Sequence, residues 1–326
     1  MQSQTLRKFY NAKNLIFITN YLQLINALEL YCKKKINQNI LIVTNNAKII
    51  RNKKILSIIC KLYNIKKFSA CFINHKLNTN LLFNIVSLII FKKYLSIING
   101  NYLVDKFSLF MFLRCKSKYF VDDGTSTLLL NEKKDIEGRL AKIIKSFLVI
   151  FNFKITFFSS YDKSNKIFKS KITNNYNYLK KKISKKAINS NQIYILGTNL
   201  VDNKQYFLEK KYIERIRSIK SKFFSKKISY FPHPREKISK NLKNFLIKKN
   251  IKIIISKLPI EIYLVHKPEI PKNFISFYSS AFIVLKIIFE DKLNLYFYND
   301  NFITKNFKKY QYFSKYFLKN LKKIKI

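Results

Sequence analysis

Strand-length runs with no polar side chain set the tightest limit on how this chain folds. Residues 15–18 read Leu-Ile-Phe-Ile and residues 40–43 read Ile-Leu-Ile-Val. A strand with one wet face alternates apolar and polar residues, because successive side chains point to opposite faces. A strand apolar at every position is buried on both faces, which calls for a parallel sheet between two layers of helix. Residues 68–73, 95–98 and 118–121 are further strand-length segments. Between them, at 22–33, 47–63, 81–91 and 107–114, apolar residues recur three and four apart, the spacing of an amphipathic helix. Later the alternation resumes, with strands expected at 193–196, 228–231, 252–256, 274–278 and 293–298. Helices are expected there at 205–223, 237–249, 259–265, 281–288 and 306–322.

Such a succession predicts an α/β chain built as two Rossmann-like domains. With 326 residues there is room for both. The expected organisation is an N-terminal domain over 1–160, a lysine- and asparagine-rich linker over 161–192 with no visible strand pattern, and a C-terminal domain over 193–326. Two such halves are expected to leave a cleft lined by strand carboxyl ends, where open α/β sheets bind ligands. Neither GxGxxG nor a P-loop occurs in the sequence, so the common dinucleotide and triphosphate cradles are not expected.

Composition narrows the partners. There are 64 Lys and Arg against 17 Asp and Glu, a formal charge of +47. A surface of this kind attracts polyanions: nucleic acid, anionic lipid or acidic sugar nucleotides. Part of the skew toward Lys, Asn, Ile, Phe and Tyr follows from A/T-rich codons. No nucleic-acid-binding signature accompanies the charge, and the lysines are spread along the chain, so no nucleic-acid partner is expected. Cys32, Cys60, Cys71 and Cys115 show no CxxC pairing and read as small core residues in a reduced compartment. No signal peptide is expected, and the apolar stretches at 81–91 and 143–158 are too short or too interrupted by lysine to span a bilayer. Peripheral contact with an anionic membrane is the expectation that charge supports.

Three features fall at the carboxyl ends of expected strands. His233 stands between Pro232 and Pro234, one of three histidines beside two of five prolines. Pro232 ends the strand and Pro234 biases His233 away from helix, so the imidazole sits on a stiff turn. It serves there either as a packed turn residue or as a cleft group. Asp122-Asp123-Gly124 ends the strand at 118–121. Adjacent carboxylates in extended chain point opposite ways, so one can accept a proton while the other orients the backbone. The same triplet also serves as an ordinary turn, with Gly124 supplying a left-handed conformation. Ser279-Ser280 precede a helix and read as a phosphate site or a plain N-cap. Glu261, after Pro259, either holds a ribose hydroxyl or faces solvent.

Taken in order, Asp-Asp-Gly, then His-Pro, then Ser-Ser resemble the bacterial sialyltransferases of glycosyltransferase family 52, with the bacterial polysialyltransferases as relatives. The resemblance extends to Gln23 and Glu29 on the first helix after the opening strand. It also takes in Leu258-Pro259-Ile260-Glu261 and Ser276-Phe277-Tyr278-Ser279-Ser280. It implies a GT-B fold and metal-independent, inverting transfer of sialic acid from CMP-sialic acid to a hydroxyl of a cell-surface glycan, lipooligosaccharide or capsule. No cofactor is implied. The resemblance assigns the general base to the acidic pair, Asp122 first, with Asp123 supporting it or exchanging roles. It assigns His233, beside Pro234, to the phosphate of departing CMP, Ser279 and Ser280 to phosphate binding, and Glu261 to the cytidine moiety. The implied location is cytoplasmic, at the inner face of the bacterial inner membrane. Two alternatives stay open: a transferase for another nucleotide-activated acidic sugar, and a basic protein that binds nucleic acid or a membrane surface.

Overall fold

A computed structural model describes residues 2–36, 39–73, 92–100, 114–124, 127, 154–161, 170–198, 201, 208–277, 279–298 and 308–323. The chain divides into two compact units, Met1–Tyr178 and Leu179–Ile326.

The first unit is built on seven strands: β1 (Asn14–Ile18), β2 (Ile40–Thr44), β3 (Phe68–Phe72), β4 (Tyr94–Asn99), β5 (Cys115–Val121), β6 (Ile155–Ser159) and β7 (Ser170–Thr173). Their order across the sheet is β3-β2-β1-β4-β5-β6-β7, and every pairing is parallel. Helices α1 (Gln2–Asn11), α2 (Tyr21–Lys33), α3 (Ala47–Arg51) and α4 (Lys53–Leu62) accompany it. Every residue of β1 and β2 is buried, as their unbroken apolar composition requires. The helix expected over 47–63 is two helices, because Asn52 leaves helical geometry at φ −93°, ψ 59°. The helix expected at 81–91 and residues 107–113 of the next lie outside the described residues.

The second unit opens with α5 (Asn177–Ile183), which spans the change of unit, then β8 (Ala187–Leu196), α6 (Glu209–Lys222), β9 (Lys227–Phe231), α7 (Lys240–Lys248) and β10 (Lys252–Ile253). It continues through α8 (Ile260–Val265), β11 (Glu269–Ser276), α9 (Ala281–Phe289), β12 (Asn294–Phe297), α10 (Lys308–Asn320) and β13 (Lys322–Lys323). The sheet order is β10-β9-β8-β11-β12-β13, again parallel throughout. In both units the first strand in sequence lies inside the sheet and the order reverses beside it, between β1 and β4 and between β8 and β11. This is the doubly wound, Rossmann-like pattern.

The segment expected to be a linker, 161–192, is structured where described: it holds β7, α5 and the first six residues of β8. Four of those six β8 residues are polar (Asn189-Ser190-Asn191-Gln192), so no apolar run of strand length marks them. Register with β11 holds the first three, from Glu269↔Ala187 to Pro271↔Asn189, and Gln192 pairs with Lys227 of β9. All four cysteines are free, and burial pushes the thiols of Cys60 and Cys71 up to about 12. Among the described residues no helix is long and apolar enough to cross a membrane.

Candidate active site

In the first unit the candidate residues gather at the carboxyl edge, at the β1/β4 reversal. β1 ends at Ile18, and Asn20 caps α2 by accepting the backbone N–H of Gln23 at 2.9 Å. Gln23 is fully buried and works in both directions. Its Oε1 accepts the Thr19 backbone N–H at 2.6 Å and the Thr19 hydroxyl at 3.1 Å, which leaves Nε2 to donate to Asp123 Oδ1 at 2.6 Å. Asn20 Nδ2 donates to the same oxygen at 2.8 Å. Asp123 follows β5, yet two residues that follow β1 hold it, so it lies over the intervening end of β4. Gly100 makes room there, since a methyl group on it would come within 2.7 Å of the Gln23 side chain.

Asp122 points the other way, as neighbours in extended chain do. Its Oδ1 accepts the Ser159 hydroxyl at 2.5 Å, and its Oδ2 accepts the Ser160 backbone N–H at 2.6 Å and hydroxyl at 2.7 Å. Its backbone carbonyl accepts Asn26 Nδ2 at 3.0 Å. Burial pushes its carboxyl up to about 6, against the lowering pull of those donors and of Lys171. Asp122 is 1% exposed whereas Asp123 is half-buried. The two carboxylates thus stand in different settings. A carboxylate enclosed by three donors is a brace between the ends of β5 and β6, and Asp123 is the member that reaches the sheet edge. Gly124 turns the chain after them with φ 61°, a left-handed conformation open to glycine. Glu29, expected beside Gln23, serves a packing role: it accepts the Tyr63 hydroxyl at 3.0 Å and the Tyr178 backbone N–H at 3.1 Å.

In the second unit the order of strands sets out four positions along one carboxyl edge. Glu261 follows β10, His233 follows β9, Gly197 follows β8, and Ser279 and Ser280 follow β11. Neighbouring strands are about 4.8 Å apart, so the row spans three such steps. His233 opens a turn closed by the Glu236 N–H to the His233 carbonyl at 2.8 Å, with exposed Pro234 at the position where its fixed φ suits the bend. The Arg235 backbone N–H donates to His233 Nδ1 at 3.1 Å, which puts the proton of the neutral ring on Nε2. Burial, and then the charge of Arg235, push this imidazole down to about 4.

A support behind the histidine carried no visible motif. Glu236 Oε2 accepts the His233 backbone N–H at 2.9 Å, and its Oε1 accepts the Tyr230 hydroxyl. The Tyr230 and Tyr212 hydroxyls are 2.9 Å apart. Gly197 permits this packing. A methyl group on it would overlap the Glu236 carboxylate and lie 2.8 Å from the Tyr230 hydroxyl and 2.9 Å from His233 N. The sequence signal was present, in that Gly197 is one of only four glycines and closes an apolar strand.

Glu261 sits in the first turn of α8, 4% exposed. Among the described residues its carboxylate is bonded only by its own backbone N–H, and burial pushes it up to about 7. It does not face solvent, which removes one of its two sequence readings. Tyr263, two residues along, meets Phe231 at the end of β9 edge-on, ring centroids 5.2 Å apart, and so ties α8 to the strand that carries His233. Ser279 and Ser280 are half-buried at the start of α9. Ser279 Oγ accepts the Ala281 N–H at 3.3 Å, while Ser280, though it precedes the helix, makes no side-chain cap. Tyr278 lies outside the described residues.

Among the described residues no cluster of three or more His, Cys, Asp or Glu could hold a metal ion. Comparison with protein-family models and with curated proteins finds no match to this chain.

Proposed function

We propose that this chain is a GT-B glycosyltransferase that moves sialic acid from CMP-sialic acid to a sugar hydroxyl, with inversion and without a metal. One grouping carries this reading: His233, Glu261 and the Ser279-Ser280 pair along the carboxyl edge of one doubly wound sheet. A nucleotide sugar needs a ribose or base anchor, a phosphate anchor and a donor to the leaving oxygen. Glu261 is a nearly buried acid whose one hydrogen-bond partner among the described residues is its own backbone N–H. It gains hydrogen bonds by accepting hydroxyl or amino protons from a nucleoside. The serine hydroxyls and the start of α9 suit a phosphate.

Asp123 takes the role of general base. The acceptor oxygen attacks the anomeric carbon as its proton passes to the Asp123 carboxylate. The bond from that carbon to the phosphate oxygen breaks, and the electron pair leaves with CMP. His233 Nε2–H donates to the departing phosphate. The ring is neutral in the unliganded chain, and the incoming phosphate anion raises its basicity at the moment the leaving charge appears. Asp122 and Gln23 position the Asp123 loop. The proposed setting is the inner face of a membrane that presents the glycan acceptor.

The test is transfer from labelled CMP-sialic acid to a panel of lactose-type acceptors, with released CMP measured in parallel. Asp123→Asn and His233→Ala are each expected to lower turnover by about a hundredfold or more, and EDTA to leave it unchanged. Asp122→Asn is expected to act mainly by lowering the melting temperature. Failure both to transfer from CMP-sialic acid and to release CMP from it overturns the proposal. A well-folded Asp122→Asn that loses turnover while Asp123→Asn keeps it reverses the roles of the pair.

A further inference from the structure

At the amino edge of the second sheet, opposite the edge that bears His233, two large apolar side chains stand in water. Phe224 is 79% exposed and Ile247 is 61% exposed. Both lie at one corner. Helices α6 and α7 run side by side in the same direction: near their starts Glu209 accepts the Ser239 hydroxyl, and farther along the Arg217 guanidinium lies 5.6 Å from the centre of the Phe245 ring. Their ends therefore lie together, leading into adjacent strands β9 and β10, which pair from Ser229↔Lys252.

Neither side chain belongs to a core stripe. On α7 the buried residues are Leu242 and Leu246, and Ile247 faces away from them. At the end of α6, Phe223 turns in to meet Tyr296, ring centroids 6.0 Å apart, while Phe224 turns out. The two segments that carry these side chains are basic. Residues 217–227 hold five Lys and Arg, residues 243–253 hold four, and neither segment has an Asp or Glu. That is about twice the density of the chain as a whole, which carries 64 in 326 residues. Lys222, Lys227, Lys248 and Lys249 among them are exposed.

We infer that this corner, with Phe224 and Ile247 at its centre, is where the second unit docks on an anionic lipid surface. Lysines are drawn to acidic head groups, and the two side chains enter the boundary between head groups and acyl chains. Nucleic acid fits less well. A base stacks on an aromatic face, which Phe224 offers and Ile247 does not; an acyl boundary accommodates both. Docking here leaves the opposite, carboxyl edge of the sheet in water, open to a soluble nucleotide sugar. It requires nothing of the transfer chemistry, so it stands or falls separately from the transferase proposal.

The chain contains no tryptophan, so Phe224→Trp gives full-length protein a single reporter at the corner. Vesicles of phosphatidylglycerol and phosphatidylcholine are expected to shift its emission to shorter wavelength, and brominated acyl chains to quench it. Pure phosphatidylcholine is expected to do neither. Phe224→Ser and Ile247→Ser, each with an unchanged circular dichroism spectrum, are expected to weaken vesicle affinity about tenfold. Vesicle binding without the shift or the quench means adsorption by charge alone and overturns the inference, as does equal binding to neutral vesicles. A response to duplex DNA or RNA but not to vesicles overturns it in favour of a nucleic-acid surface.

Discussion

Two buried carboxyls show how much a single residue's surroundings decide. Asp122 has three side-chain and backbone donors on its two oxygens. Among the described residues Glu261 has one, its own amide. Burial lifts Glu261 from an ordinary 4.5 to about 7. The folded chain thus keeps that proton to higher pH than the unfolded chain does. Its contribution to stability is full below about pH 4.5 and is lost as pH rises toward 7, a cost on the order of 3 kcal/mol. Glutamine, neutral at every pH, escapes that cost. Glu261→Gln should therefore melt about 6–12 °C above wild type at pH 8 and within a few degrees of it at pH 5. An equal difference at both values would remove the buried charge as the cause. His233 was legible as a site candidate because proline on both sides is rare. Its neutral state was not, since that depends on enclosure and on the nearby Arg235 charge.

At the scale of the element, the ends of strands do the positioning, and glycine decides what can meet there. Gly100 ends β4 under Gln23, and Gly197 ends β8 under Glu236. Gly197→Ala forces the Glu236 carboxylate away from Tyr230 and from the His233 N–H. The expected loss is about 1–3 kcal/mol of stability, the usual range for overpacking. It should come with a changed His233 imidazole resonance and an unchanged His266 resonance. With three histidines in the chain, the imidazole spectrum is simple enough to read. An unaltered His233 signal in folded Gly197→Ala would show that Glu236 does not set its position. Apolar strands such as β1 and β2 were legible because burial on both faces leaves a compositional mark. Strands β7 and the first half of β8 were not, because their polar residues owe their conformation to register with neighbours far along the chain.

At the scale of the whole molecule, the division falls at Tyr178/Leu179, inside a stretch that composition alone would treat as linker. A fragment over 179–326 retains all of β8, the central strand of the second sheet. A fragment over 193–326 lacks its first six residues, and with them the pairing of Ala187, Ile188 and Asn189 with β11. The first is expected to unfold cooperatively and to show histidine shifts like those of the full chain; the second is expected to be soluble poorly or not at all. Equal folding of both would mean that the polar start of β8 contributes little.

By itself the sequence determined the class of fold and the cast of candidate groups. Solid apolar runs allow little but buried parallel strands, and rare residues at strand ends stand out in a chain dominated by lysine, asparagine and isoleucine. Only the tertiary structure decided which groups meet. Separations of 100 residues between Gln23 and Asp123, and of 37 between Asp122 and Ser159, close to hydrogen bonds through the strand order. That closure made Asp122 a brace, brought Asp123 to the sheet edge, and left Glu261 nearly buried beside the strand that carries His233. Local sequence does not encode such contacts, because their energy belongs to pairs that become neighbours only when the sheet forms.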